Sequence, residues 1–338
     1  MKPIAVLMSA AAFLAGCQNP PETELSGAIQ GTTYHIKVVM EGLAVTRDQL
    51  QADIDAVFKR VDEHLSNWRD DSEISRINRL KTTEWQSVSP EIMELISIAR
   101  DIHDKTHGCY DLTVKPLFEL WGFARHTDTV PTEADIARVI QHVGMDKLEL
   151  DPQGLRIRKK DPQLEVSFDS IAQGYTVGAI AKALESRGAE HYLAEIGGEM
   201  KVKGHKANGQ PWRVAIEKPS ATERGIQRVL SLEGEEGTSV MTSGTYRNFF
   251  EAGGHSFSHI IDPRSGKPVT HTLLSTTVLH QDPTLADAWS TALLCVGVTI
   301  AADIADTTPI QALFIYRDGD QLKEQQSASF PAMKQEQN

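Results

Sequence analysis

The apolar positions of this chain change period several times, and each change marks an element. Thr46-x-x-Gln49 has the form of a capping box, and Leu50, Ile54, Val57, Val61 and Leu65 follow it at helical spacing. Ser89-Pro90 opens a second helix, with Ile92, Leu95, Ile96, Ala99 and Ile102 on one face and a stop near Gly108. A third helix is predicted over 132–144, and a fourth over 170–187, closed by Gly188. Strand patterns cover 34–40, 192–196, 200–203, 213–217, 227–232, 257–261 and 275–279, with a last strand over 312–316. Residues 147–158 read as a hairpin turning at Pro152-Gln153-Gly154. A helix around Asp287 and a short one near Ile300 complete the pattern. Helices gather in front and strands behind, so the fold class is α+β with largely antiparallel sheets and packed helices.

The first residues follow another rule. Lys2 precedes an apolar run over 4–14 that is too short to span a bilayer, and Leu14-Ala15-Gly16-Cys17 has the form of a bacterial lipobox. On this reading residues 1–16 are a signal peptide, Cys17 carries lipid, and residues 17–28 are a tether containing Pro20-Pro21. The expected location is outside the cytoplasm, anchored to a bacterial membrane by lipid, on the periplasmic side of the inner membrane in a Gram-negative cell. The chain of 338 residues then holds one large domain or two intimate lobes over 29–320, and a polar tail over 321–338. Asp and Glu outnumber Lys and Arg by 46 to 34, which excludes a nucleic-acid partner and a polybasic membrane surface. Cys109 and Cys295 can pair in an oxidising compartment but make no disulfide framework.

Two phrases concentrate candidate chemistry. In Ser258-His259-Ile260-Ile261-Asp262-Pro263-Arg264-Ser265-Gly266 an apolar strand ends in a tight turn, which delivers His259 and Arg264 to either side of a bend. In Ala286-Asp287-Ala288-Trp289-Ser290-Thr291, Asp287, Ser290 and Thr291 fall at i, i+3 and i+4, one face of a helix. A carboxylate beside two hydroxyls is a hard-oxygen set of the kind Mg²⁺ takes. Taken alone, Asp287 reads better as a helix N-cap, Thr291 as a back-bonded helix residue, and His259 as a satisfied strand histidine; it is their conjunction that points to chemistry. Around Ser167-Phe168-Asp169-Ser170 a strand leads into a helix start, where backbone N–H groups and the dipole favour phosphate. Glu195-Ile196-Gly197-Gly198-Glu199 places a glycine pair between two strands, allowing close backbone approach.

The order GTTYHI, LSNW…SEISRIN, YDLTVKPLFELWGF, SFDSIAQGYTVG, AEIGGEMKVKG, WRVAIEKP, TSGTYRNFFEAGG…SHIIDPRSGKPV and LADAWSTALLCVG resembles the ApbE family, the FAD:protein FMN transferases. The resemblance covers about 29–316 and implies an α+β fold related to the T-fold, with the site between two lobes. It implies that FAD and Mg²⁺ are bound and the pyrophosphate cleaved. FMN would then pass to a threonine hydroxyl of an acceptor protein, with release of AMP. Acceptor classes in the family are membrane subunits of sodium-pumping NADH:quinone reductase and the related Rnf complex. Some members instead hydrolyse FAD to FMN and AMP, and a flavin-binding lipoprotein without chemistry is a third possibility.

By family position, Ser170, Asp287, Ser290 and Thr291 match the metal site. Some members carry Asp where this chain has Ser290. His259 either assists removal of the acceptor's proton or hydrogen-bonds a phosphate oxygen, and Asp287 joins it as a catalytic candidate. Flavin contacts carry over to Gln30, Trp68, Cys109, Tyr110, Asp111, Ser167, Gln173 and Ile260. Trp68 would stack on a flat ring, although Trp68 and Tyr110 read without the family are core residues.

Overall fold

The computed structural model describes residues 21–125, 127–220 and 225–331. The signal segment, Cys17 and the end of the expected tail lie outside the described residues. One antiparallel sheet organises the rest, and its spatial order is its chain order. It runs β1 (Glu22–Ile29), β2 (Thr32–Val39), β3 (Tyr192–Ile196), β4 (Glu199–Lys203), β5 (Thr238–Gly244), β6 (Leu273–His280), β7 (Gln311–Asp318) and β8 (Gln321–Gln326). Helices fill the gap between β2 and β3: α1 (Arg47–Leu65), α2 (Glu73–Arg79), α3 (Pro90–Lys105), α4 (Lys115–Leu120), α5 (Glu133–Ile140) and α6 (Ala172–Ser186). Between β6 and β7 come α7 (Pro283–Val296) and α8 (Val298–Thr307). The α+β class and the antiparallel pairing are as the sequence predicts.

Each predicted amphipathic stripe is buried. The capping box closes α1: Gln49 N donates to Thr46 Oγ1 and Thr46 N to Gln49 Oε1, while Leu50, Ile54, Val57, Val61 and Leu65 face inward. Helix α7 lies across β5 and β6 and against α6. Strand alternation sends Met241, Val278, Ala312 and Phe314 into this main core. Val240, Leu279, Leu313 and Ile315 point the other way, into a second core roofed by the hairpin Trp212–Glu217/Ile226–Leu232. Strands buried on both faces read as nearly continuous apolar runs, which is how 312–316 looks in the sequence. A third cluster joins α4 and α5 to Phe250 and Ile261, with Trp121 Nε1 donating to Gly266 O at 2.8 Å.

Several expectations are corrected. The strand predicted over 257–261 is two: His255–Ser258 pairs with Phe249–Ala252, and Ile261–Asp262 pairs with Lys267–Pro268. His259 sits at the break, because Gly266 at φ 71° folds the chain back within five residues of Ile261. The third helix stops at Ile140, and Met145–Lys147 forms a separate 3₁₀ turn after Gly144. Residues 73–79, for which the apolar pattern predicts no element, are α2, capped by the Ser72 hydroxyl accepting from Ser75 N. The expected tether and tail both contribute strands. Residues 22–29 form β1 and 321–326 form β8, so the strand at 312–316 is not the last. These two are the sheet's edges, largely polar and exposed, and are held by ladder bonds rather than by burial.

Candidate active site

The N-cap of α7 is Asp282, whose carboxylate accepts from Thr284 N and Leu285 N. Asp287 is therefore no cap. It lies mid-helix and buried, and its Oδ2 accepts from Gly174 N at 2.7 Å, in the first turn of α6. That contact needs glycine, because a Cβ at 174 would stand 2.3 Å from Pro283 O and 2.5 Å from Asp287 Cβ. Residue Ile171 supplies no side-chain cap to α6. A carboxylate from the neighbouring helix takes that role at the positive end of the dipole. Burial nevertheless pushes Asp287 up to about 7.

A second buried carboxylate accompanies it. Glu199 accepts from Thr242 N at 3.0 Å, and burial first, then the nearby Asp287 charge, raises it well above the carboxylate range. The β4–β5 ladder ends at Val240↔Met200, so the Thr242 N–H would otherwise lack a partner. Ahead of Glu199, Gly197 and Gly198 turn the chain at φ 61° and 101°. Gln173 packs its amide against Gly197, closely enough that a Cβ there would come within 2.5 Å of Nε2.

Hydroxyls line the same region. Ser290, wholly buried, donates to Asp287 O at 2.9 Å, and Ser243 Oγ lies 2.7 Å from Ser290 Oγ and 2.8 Å from Thr291 Oγ1. Thr276 stands directly opposite Ser243 across the β5–β6 ladder, its hydroxyl buried without a partner among the described residues. Ser170 Oγ lies 3.1 Å from the Tyr110 hydroxyl, which burial keeps protonated.

The other sequence-derived residues fall into separate groups. The Asn67 side-chain amide, Ser167 Oγ and Asp169 N form one polar loop cluster, beside which Trp68 is 70 % exposed. Core packing is thus ruled out for Trp68, while Tyr110 is buried in the main core with its hydroxyl at Ser170. Asp111 is committed to its own turn: its oxygens accept from Thr113 N, Thr113 Oγ1 and Met145 N. Gln30 sits at φ 52° in the β1–β2 turn and donates to Asp62 at 3.0 Å. Ile260 is buried, with its carbonyl accepting from Val269 N.

Cys109 and Cys295 form a disulfide with Cα atoms 6.0 Å apart. It ties the 107–111 loop to the helix bearing Asp287 and Thr291, since 287, 291 and 295 recur every fourth residue. On the other side of that loop, Arg264, held by both oxygens of Asp262, reaches 3.3 Å from Cys109 Sγ. The turn after His259 therefore docks on the loop that α7 holds. Among the described residues, His259 makes no hydrogen bond to the α7 oxygens. Its N–H and its Nδ1 each lie 3.0 Å from Asn248 O, and burial lowers its pKa.

The ApbE family model matches residues 30–314. The chain belongs to the ApbE family. Among curated relatives, the FAD:protein FMN transferase of Vibrio cholerae is 37% identical over 329 residues, 96% of this chain and 97% of the relative. That of Haemophilus influenzae is 35% identical over 335 residues, 97% and 95%. Among solved structures, the flavin transferase ApbE from Vibrio cholerae superimposes with a TM-score of 0.83 at 36% identity, covering 92% of this chain and 98% of that one. The apo flavinyl transferase ApbE of Pseudomonas stutzeri gives 0.84 at 32%, covering 93% and 97%. Within this ApbE fold, sequence reasoning assigned no role to Gly174, Glu199, Ser243 or Thr276. The first three lie inside the quoted family phrases, but only sheet register and helix packing show what they touch.

Proposed function

We propose that this chain transfers FMN from FAD to a threonine hydroxyl of an acceptor protein, with release of AMP and dependence on Mg²⁺. The observation that carries the reading is the buried Asp287 carboxylate held against the N-terminal turn of α6 and flanked by hydroxyls. Its Oδ1 accepts no hydrogen bond among the described residues, and Thr276 leaves a buried hydroxyl unpartnered close by in the sheet. Such an oxygen-only donor set fits Mg²⁺, which would be held by Asp287 and Thr291, with Ser170 and Ser290 at hand. When bound, it supplies neutralisation of charge on the pyrophosphate oxygens.

The chain's own groups do the rest. In the first turn of α6, Ala172 N is taken by Phe168 O and Gly174 N by Asp287, so among the described residues Gln173 N is the group left to reach a phosphate oxygen. The exposed Trp68 indole offers a face for the flavin rings. Asn248 O can only accept, so His259 Nδ1 carries a proton and Nε2 presents a lone pair. Burial keeps that imidazole neutral at pH 7, which favours a base over a phosphate-binding cation. The acceptor oxygen forms a bond to the FMN phosphorus, the bond from that phosphorus to the AMP oxygen breaks, and the threonine proton passes to Nε2.

The test is incubation of the chain with FAD, Mg²⁺ and a purified acceptor subunit of the NADH:quinone reductase or Rnf type. A mass increase of one FMN on the acceptor, absent with EDTA, is expected. Release of FMN and AMP with an unlabelled acceptor would instead mark an FAD pyrophosphatase. We also propose export and lipid attachment at Cys17, which the disulfide supports, since such bonds persist in oxidising compartments. Cys17→Ala should release the protein from membranes.

A further inference from the structure

The hydroxyl contacts beside Asp287 have a direction that the distances alone force. Each hydroxyl carries one proton and can accept on its other side. The Ser290 proton is spent on Asp287 O, a carbonyl that only accepts, at 2.9 Å. In its 2.7 Å contact with Ser243 Oγ, Ser290 must therefore be the acceptor and Ser243 the donor. With its own proton so used, Ser243 can only accept in the 2.8 Å contact with Thr291, which must donate. The chain of donors runs Thr291 to Ser243 to Ser290 to the backbone of Asp287.

We propose that Ser243 is a positioning residue of the metal site: it draws the Thr291 proton away and leaves the Thr291 lone pairs free for a divalent cation. The inference rests on the Mg²⁺ reading given above. It also separates the two hydroxyls of the α7 face. Ser290 is wholly buried and turned inward by two hydrogen bonds, whereas Thr291 is half-buried and its oxygen accepts no hydrogen bond among the described residues. Thr291 is thus the hydroxyl ligand and Ser290 a strut. Glu199 supports the arrangement from behind, because its carboxylate holds Thr242 N at the point where the β4–β5 ladder stops. That bond fixes the backbone one residue before Ser243. Strand alternation then turns the Ser243 side chain to α7, on the face shared with Met241. Without the Ser243 oxygen the Thr291 proton is released to turn toward Asp287 and compete with the cation.

Residues that orient a ligand without touching the metal typically carry about 10–100-fold in metal affinity. The experiment titrates Mn²⁺ into the exported domain carrying all described residues and reads free Mn²⁺ by electron paramagnetic resonance, with cation-free melting temperature as a second readout. Ser243→Ala should raise the dissociation constant by about tenfold or more at an unchanged melting temperature, and Ser243→Thr should restore it. Parent-like Mn²⁺ affinity in Ser243→Ala would overturn the proposal while leaving the metal reading in place. Absence of Mn²⁺ binding by the parent protein would overturn both.

Discussion

The two faces of strands β5 to β7 serve opposite ends. One face is dry under the Trp212–Glu217/Ile226–Leu232 hairpin, where Val240, Leu279, Leu313 and Ile315 meet Trp212, Val214 and Leu230; farther along the same strands it carries the Thr242 and Thr277 hydroxyls, 2.8 Å apart, and Ser275. The other face, under α7, carries Met241 and Val278 for part of its length and then changes to Ser243 and Thr276, against Asp287 and Thr291. Residues one position apart on the same strand thus do different work. Apolar burial on the dry face offsets the cost of keeping two carboxylates and an unpartnered hydroxyl out of water on the other. The contrast teaches that stability and chemistry are separable here, and substitutions can test it.

Asp287→Ala should have the largest effect, a loss of FMN transfer of about a thousandfold or more with the fold retained, read by acceptor mass and circular dichroism. Retained activity would remove Asp287 from the site. His259→Ala should slow transfer by about a hundredfold or more while FAD affinity changes little, as kcat and the dissociation constant measured separately would show. A loss confined to affinity would make His259 a binding residue. On the dry face, Trp212→Ala should cost about 3–5 kcal/mol in denaturant unfolding, with transfer per folded molecule unchanged.

The pH dependence of the metal-free protein gives a subtler comparison. Burial raises Asp287 from 3.8 to about 7, so between those values the native state holds a proton that the unfolded chain has released. The native state binding more protons makes stability fall as pH rises through that window. Asp287→Asn should remove part of the slope and melt above the parent at pH 8 in EDTA, Glu199 keeping the remainder. A steeper slope in the variant would contradict the burial argument. Trp68→Ala should move stability by less than about 0.5 kcal/mol, being 70 % exposed, yet weaken FAD binding in a fluorescence titration.

Much of this was legible beforehand where one physical signal dominates. Helices α1 and α3 announce themselves by caps and apolar stripes, and the β3, β4 and hairpin strands by alternation. The edge strands did not, because β1 buries only Leu25 and β8 buries no residue, so neither leaves a period to read. At the site, the spacing of Asp287, Ser290 and Thr291 correctly put them on one helix, yet it could not separate the wholly buried Ser290 from the half-buried Thr291. Gly174 shows a different limit. Its value lies in a missing Cβ beside a helix more than a hundred residues later, a fact of packing with no local trace.

Because the sheet keeps its strands in the order of the chain, its first and last strands are seven spacings apart, on the order of 30 Å. If Cys17 carries lipid as proposed, the leash would hold the domain by the β1 rim and leave the β8 rim the farthest from its mooring. A reporter or affinity group fused after Pro331 would follow the 327–330 segment, which folds back on β7, and would suit immobilised assays of such an anchored form.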